Sequence, residues 1–341
     1  MFEVKVVDKI KEAIGVESLI LAPINNQPLP EFKAGAHIDV NLANGLTRQY
    51  SLCHSPSNHL PSNFSPSSFS PSSFSPSNFS PSNIGDTYQI AVLLDEHSRG
   101  GSSYIHEQLQ IGDIVHISEP KNLFELELNA TKHVLFAGGI GITPLLSMAY
   151  FLNEQGANFE LHYSAKSKDK AAFYSALKQS EFSNHVFFYL SAEEKRLNVQ
   201  HILEDTDPNA HLYVCGPENY IEYIFQTAKQ MNWPDNQLHR EFFQISAEDS
   251  SNNEAFQIYL SNSNLTLDIP ANSTVLEVLT EAGIDVPFAC EQGVCGTCLL
   301  RVTDGIPDHR DHYLTPEEQD SNTEFTPCCS RSKTPILSLD L

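Results

Sequence analysis

Residues 290–298 read Cys290-Glu-Gln-Gly-Val-Cys295-Gly-Thr-Cys298, and Cys328 follows after 29 intervening residues. The spacing C-x4-C-x2-C with a distant fourth cysteine is the ligand pattern of a plant-type 2Fe-2S centre. The two glycines of the loop let backbone amides approach cluster sulfurs without Cβ clashes. The pattern therefore predicts one-electron redox chemistry. A structural zinc site is the alternative, although zinc sites usually pair two short C-x2-4-C knuckles.

Composition limits the class of protein. A chain of 341 residues predicts two or three domains. Its 43 acidic and 20 basic residues, a net charge of −23, argue against nucleic acid or an anionic membrane as the main partner. The start, MFEVKVVDKI, has no signal-peptide pattern, and we expect a cytoplasmic chain with reduced thiols. The acidic surface fits a basic docking partner, but it fits simple solubility equally well.

A repeat interrupts the first third of the chain. Residues 55–84 form six five-residue units: SPSNH, LPSNF, SPSSF, SPSSF, SPSNF and SPSNI. A proline in each unit blocks both helix and sheet hydrogen bonding. We predict an exposed, disordered or loosely extended insertion between two strands, 48–53 and 87–94. A tolerated insertion is favoured over a docking segment with spaced phenylalanines.

The remaining sequence divides into segments that differ in their pattern of predicted strands and helices. Short β-rich runs in residues 1–127 predict an antiparallel barrel. In residues 128–243 strands alternate with helices, including a predicted helix over 171–178, which predicts a parallel α/β sheet. Residues 244–254 are polar and resemble a linker. Residues 255–341 are sufficient for an independent small domain, with a predicted helix over 274–282 for which the stretch 273–277 offers N-capping residues.

Two motifs of the first segment suit a phosphate-bearing ring. Arg48 and Tyr50 place a cation and an aromatic on one face of a strand, and Ser51 adds a hydroxyl on the other face. A glycine-rich turn leads into a short predicted helix, 104–109, whose free amides favour an anion. A plain surface turn is the alternative. The candidate flavin residues are Arg48, Tyr50, Ser51, Arg99, Gly100, Gly101 and Ser102.

Two glycine turns at strand ends mark the second segment. The stretch 136–144 lacks the G-x-G-x-x-G fingerprint and a Walker lysine, but its glycines permit close approach of a flat ring or pyrophosphate. Thr143-Pro144 is predicted to cap and begin a helix. Lys166 and Lys168 are weaker candidates for the cofactor's ribose or phosphates, and Cys215 alone would more often be a small buried residue. The candidate residues are Gly138, Gly139, Gly141, Thr143, Cys215, Gly216 and Pro217.

Taken in order, these motifs resemble the phthalate dioxygenase reductase family. RxYS, RGGS, GGIGITP, CGP, an HxExF-like element and CEQGVCGTC follow the family order, and only residues 55–84 fall outside the resemblance. It implies an antiparallel FMN-binding β-barrel, a parallel α/β NADH-binding domain and a C-terminal β-grasp ferredoxin domain. It also implies that Cys328 rather than Cys329 is the fourth iron ligand. Phe243 would shield the flavin, with a core aromatic as the alternative.

The resemblance also implies a function. Electrons would pass from NADH through FMN and the 2Fe-2S cluster to a Rieske-type oxygenase, with no side chain needed as a general acid or base. The chain is most similar to reductases that serve vanillate O-demethylase. A reductase for another Rieske oxygenase, acting on a phthalate-like or quaternary amine substrate, is the main alternative. A redox-inactive binding or regulatory protein is the other, although the four cysteines argue against it.

Overall fold

The computed structural model describes residues 1–24, 27–56, 87–96, 98–194, 196–204, 206–243 and 253–341. They form two compact units, Met1–Glu241 and Phe242–Leu341. The first unit contains two sheets and the second contains one main sheet. Among the described residues, no helix is both long and apolar enough to cross a membrane. The domain limits at residues 127, 243 and 254 stay predictions.

The first sheet is an antiparallel barrel. Its strands are ordered β4-β3-β6-β1-β2-β5. A bridge between Leu52 and Ile90 joins the two outer strands and closes it. The alternating inward side chains, such as Val4, Val6 and Ile38, are buried in one core. The elements are β1 Phe2–Ala13, β2 Val16–Pro23, β3 His37–Asn41, β4 Thr47–Ser51, β5 Tyr88–Leu93, α1 Gly101–Glu107 and β6 Ile114–Ile117.

The predicted insertion lies almost wholly outside the described residues, which resume at 87. The strands on either side of it do meet, because the amide of Cys53 donates to the carbonyl of Gln89 over 3.0 Å. The barrel thus closes across the insertion, as expected of a segment added between two paired strands.

The second sheet is parallel, with order β11-β10-β7-β8-β9. Its central strands are buried on both faces, as is usual when helices cover a parallel sheet. The elements are β7 His133–Gly138, α2 Ile142–Glu154, β8 Phe159–Ala165, α3 Tyr174–Gln179, β9 Val186–Leu190, α4 Val199–Glu204, β10 His211–Cys215, α5 Glu218–Gln230 and β11 Leu238–Glu241.

Two helix predictions in this sheet were wrong at their starts. A helix over 171–178 was expected, but α3 begins at Tyr174, because Phe173 adopts a left-handed φ of 58° and is buried with Ala171 and Ala172. Thr143 does not cap α2. The helix begins at Ile142, two residues before the predicted start at Pro144, and the Thr143 hydroxyl donates to the carbonyl of Ile140 over 3.1 Å.

The second unit has a mixed sheet ordered β13-β12-β18-β14-β16. β12 pairs in parallel with β18, and the other pairs are antiparallel. Thr274 caps α6 in a box with Glu277, as its sequence predicted. The elements are β12 Phe256–Leu260, β13 Leu265–Ile269, α6 Val275–Glu281, β14 Leu300–Asp304, β15 Pro307–Asp308, α7 Pro316–Ser321, β16 Glu324–Phe325, β17 Arg331–Ser332 and β18 Ile336–Leu339.

Candidate functional site

The two candidate flavin motifs meet in the barrel. A Cβ added to Gly101 would lie 2.7 Å from Cγ of Arg48, so the Arg48 side chain rests directly on the start of α1. Gly100 precedes the helix with φ 94°, a conformation that favours glycine. The helix begins three residues earlier than predicted, and Ser98 Oγ accepts from the Gly100 and Ser103 amides. The permanent cation of Arg48 and the glycine-rich turn before α1 therefore lie next to each other.

Tyr50 and Ser51 lie on opposite faces of β4. Tyr50 pairs with Ile38 and packs partly against the barrel core, and burial raises the pKa of its phenol well above the ordinary value. Its ring is therefore a neutral, apolar surface with a hydroxyl at one end. Ser51 is buried, and Arg99 is exposed. The residues fit a phosphate-bearing ring of the flavin type, because a cation, an aromatic face and a glycine turn converge.

The two nicotinamide motifs meet at the carboxyl ends of adjacent strands. A Cβ on Gly141 would lie 2.3 Å from the Cys215 carbonyl oxygen, and one on Gly216 would lie 2.9 Å from Cα of Gly138. β7 and β10 are neighbours where the strand order reverses, which is where ligands bind in open parallel sheets. Pro217 precedes α5. The two turns therefore pack backbone on backbone, which only glycine permits.

A cavity of about 700 Å³ opens beside these turns. Gly139 and Ile140 line it together with Lys166, and Ser98 and Ser103 line it from the barrel. It has the size of a cofactor pocket and carries one of the predicted lysines. Lys168 instead stacks over the ring of Tyr174.

Glu241 is an acidic residue that sequence reasoning left out of the site. It ends β11 and pairs with Cys215, whose thiol has its pKa raised by burial. The Glu241 Oε2 atom is inaccessible and has no hydrogen-bond partner among the described residues, and burial raises the pKa of the carboxyl to about 8. Glu241 is the acid of the HxExF-like element, but that motif gives no signal that the carboxyl group is buried.

This carboxyl predicts a pH effect on stability. Its pKa is raised from 4.5, so the folded state holds the extra proton between about pH 4.5 and 8, and stability falls as pH rises through that window. Glu241→Gln should remove this loss, on the order of 4 kcal/mol at pH 8.5 relative to pH 4.5. Urea unfolding at both pH values tests it, with Glu160→Gln as the matched control, since the pKa of Glu160 is shifted down instead. Equal pH dependence in wild type and Glu241→Gln would contradict it.

The cluster cysteines lie as two pairs. The thiols of Cys290 and Cys295 are hydrogen-bonded to each other, and Cys328 contacts Cys298. The Cys290 thiol lowers the pKa of Cys295. Two pairs suit two irons that each take two cysteines, whereas zinc needs all four thiolates around one point. Within the described ranges, no three His, Cys, Asp or Glu side chains surround a position for a single metal ion.

The loop between the cysteines depends on left-handed backbone. Gly293 has φ 67° and Gly296 has φ 68°. A Cβ on Gly296 would fall 2.1 Å from the Tyr313 ring, and one on Gly293 would fall 2.4 Å from Sγ of Cys329. The amide of Gln292 donates to Cys290 Sγ over 3.3 Å. The loop thus turns its amides toward sulfur, which fits a 2Fe-2S group.

Cys329 also contacts Cys328, so both thiols are close to the loop. Its sulfur lies 3.5 Å from the Thr326 hydroxyl, beside Gly293. Cys328 is more deeply buried and contacts Cys298, which supports Cys328 as the fourth ligand.

Phe243 lies at the start of the second unit and is 37% exposed, while its neighbour Phe242 is buried. The role of Phe243 stays a prediction.

Comparisons with known proteins agree with this arrangement. The family described as 2Fe-2S iron-sulfur cluster binding domain matches residues 258–333, and the family described as dimethylamine monooxygenase subunit DmmA-like, N-terminal domain, matches residues 118–238. A solved structure of phthalate dioxygenase reductase, described as modular for electron transfer from pyridine nucleotides to [2Fe-2S], is 33% identical with a TM-score of 0.75. It covers 99% of this chain and 97% of that one.

Curated relatives extend over nearly the full length. A vanillate O-demethylase oxidoreductase of Acinetobacter baylyi is 43% identical over 96% of this chain and 94% of its own length. A carnitine monooxygenase reductase subunit of Escherichia coli is 36% identical over 100% of this chain and 98% of its own. The first relative is named as an oxidoreductase, and the second is named as the reductase subunit of a monooxygenase.

Proposed function

Since this chain belongs to the phthalate dioxygenase reductase family, we propose that it carries electrons from NADH to a Rieske-type oxygenase, with vanillate O-demethylase as the favoured partner system. That it is an oxidoreductase with a 2Fe-2S domain follows from the family itself. The oxygenase type, the flavin and the individual site residues are parts of the proposal.

One observation carries the proposal: a single chain holds two cysteine pairs suited to a 2Fe-2S cluster and two glycine turns that meet at a strand-order reversal. The first feature serves one-electron transfer and the second serves a nicotinamide cofactor. Nicotinamide transfers two electrons together and the cluster takes one at a time, so a chain with both sites requires a third cofactor that passes electrons between them. The barrel residues are suited to hold that cofactor.

The flavin, when bound, accepts a hydride and releases its electrons singly. In this proposal Arg48 and the turn Arg99–Ser102 would bind its phosphate, and Tyr50 and Ser51 would orient its ring. Glycines at 138, 139, 141 and 216, together with Thr143, Cys215 and Pro217, leave room for the nicotinamide ring. By the family likeness, Phe243 would be the ring that shields the flavin. FMN rather than FAD, and NADH rather than NADPH, follow the family likeness.

In this proposal Cys290, Cys295, Cys298 and Cys328 hold the cluster, which is the last carrier in the chain before the electrons pass to the oxygenase. A plant-type cluster near about −400 mV is a competent reductant for a Rieske centre, whose potential is higher. Thiolate ligands need a compartment that keeps thiols reduced, so the proposal places the chain in the cytoplasm. The aromatic substrate binds the oxygenase rather than this chain.

Partner-specific turnover tests the choice of oxygenase. We expect this chain with NADH to support vanillate demethylation by a vanillate O-demethylase oxygenase component at least tenfold faster than carnitine oxidation by a carnitine monooxygenase oxygenase component. This chain is 43% identical to the vanillate O-demethylase oxidoreductase and 36% identical to the carnitine monooxygenase reductase subunit. Measuring both substrates under matched component concentrations decides it. A faster carnitine system would replace the favoured partner with the rival one.

A visible spectrum of the purified chain separates the reductase from a redox-inactive binding protein. Flavin bands and iron–sulfur charge-transfer absorption should both be present and should bleach with NADH. Absence of both would refute the electron-transfer proposal as a whole.

A further inference from the structure

Asp311 is a carboxylate enclosed beside the cluster loop. Its side chain is 0% exposed. A Cβ on Gly293 would lie 3.0 Å from Cβ of Asp311, so the two residues are in direct packing contact. The next residue, His312, donates its amide to the Gly293 carbonyl over 3.0 Å. The segment carrying Asp311 is therefore fastened to the loop between Cys290 and Cys295.

Neutral donors hold this carboxylate in one orientation. Oδ2 accepts from the Leu314 amide at 2.8 Å, and Oδ1 accepts from the Ser330 hydroxyl at 3.3 Å. His309 Nδ1 lies 3.6 Å from Oδ1, and its ring, 7% exposed, has no hydrogen-bond partner for either nitrogen among the described residues. The hydrogen bonds from Leu314 and Ser330 therefore fix the position of the Asp311 carboxylate and of its negative charge.

The neighbouring arginine pairs elsewhere. Arg310 binds Asp308, with Nη2 2.8 Å from Oδ2, and donates to the Asn253 side chain. Asp308 is 30% exposed, so its charge is both paired and hydrated. Asp311 thus differs from Asp308 in being enclosed and in lacking an arginine partner in the described chain, although the two belong to the same four-residue segment.

We propose that Asp311 is a positioning residue that orients the cluster loop and whose charge holds the reduction potential of the cluster low. Adding an electron to the cluster adds negative charge next to a fixed negative charge in a region that water screens poorly. This disfavours the reduced cluster and strengthens it as a donor to the next carrier. The inference rests on the proposed function, because it takes Cys290, Cys295, Cys298 and Cys328 as ligands.

Potentiometric titration of the intact holoprotein, with the reduced cluster followed by electron paramagnetic resonance, tests the proposal. Asp311→Asn keeps the shape and removes the charge. At a fixed mediator potential it should raise the ratio of reduced to oxidised cluster about tenfold, which is about 59 mV for one electron. Asp308→Asn is the matched control and should change the ratio less than twofold. Asp311→Glu keeps the charge and should stay near wild type.

An unchanged ratio in Asp311→Asn overturns the proposal, and so does an equal rise in Asp311→Glu, which would indicate displacement of the loop. Should Asp311→Asn assemble no cluster, Ser330→Ala decides, because losing the donated hydrogen bond leaves the charge less compensated. The reduced fraction should then fall, and a rise or no change refutes the idea. If the wild-type chain shows no electron paramagnetic resonance signal of a plant-type cluster, the proposed function itself is refuted.

Discussion

Cys295→Ser should lower reduction of a cluster-dependent acceptor by more than 100-fold while NADH-to-dye activity through the flavin stays within twofold of wild type. Cys295 is one of the paired thiols, and serine is a poor replacement for a thiolate on iron. The barrel and the nicotinamide turns lie in the other compact unit, so their chemistry should persist. Iron and sulfide content, measured with both assays, checks the result.

Cys53→Ser is the matched control for this variant. Cys53 is buried in the first unit, where its thiol lies 3.3 Å from the Gln89 carbonyl, a contact that a serine hydroxyl can also make. Both activities should remain. Loss of both activities in Cys295→Ser, with the fold intact by circular dichroism, would contradict the proposed direction of electron flow.

Gly141→Ala should raise the KM for NADH on the order of 100-fold, or abolish saturation. A Cβ there would lie 2.3 Å from the Cys215 carbonyl oxygen and 2.6 Å from the Gly216 amide nitrogen. Real atoms do not approach that closely, so the two turns must separate, and a distortion of about 3 kcal/mol corresponds to a hundredfold loss in binding. Steady-state kinetics with NADH, and flavin content as a check on folding, measure it.

Gly156→Ala is the control for adding a methyl group to the same unit. Gly156 has φ 62° and nothing within 4 Å of an added Cβ, so its replacement costs backbone strain of about 1 kcal/mol but causes no clash. Its KM should match wild type. A Gly141→Ala enzyme with a KM within twofold of wild type would show that the turns need not pack together.

Local signals predicted much of this molecule. The cysteine spacing, the capping residues of α6 and the alternation of strands and helices are short-range patterns, and the structure places each in an element of the expected kind. The antiparallel barrel, the parallel sheet and the C-terminal 2Fe-2S domain are confirmed by the structure and the solved relative. Such patterns survive because one turn or one strand contains all of the information.

Features created by tertiary packing were missed. The helix expected over 171–178 begins late, at Tyr174, because the three residues before it are buried in the core in non-helical conformations. Glu241 belongs to the HxExF-like element and Asp311 to no motif used above, and neither position in the sequence indicates that its carboxyl group is enclosed. Long-range contacts of this kind leave no period or spacing in the chain, so a single sequence does not reveal them.

Because β12 pairs in parallel with β18, the sheet of the second unit is completed only when a late segment of the chain is present. β18 lies at the centre of its sheet, between β12 and β14, although it is the last strand in the chain. A nascent chain emerging from the ribosome therefore cannot complete this sheet until residue 339 is free, long after the cysteine loop has appeared. The first unit can fold during synthesis, whereas the sheet of the second unit is completed only after Ile336–Leu339 have left the ribosome.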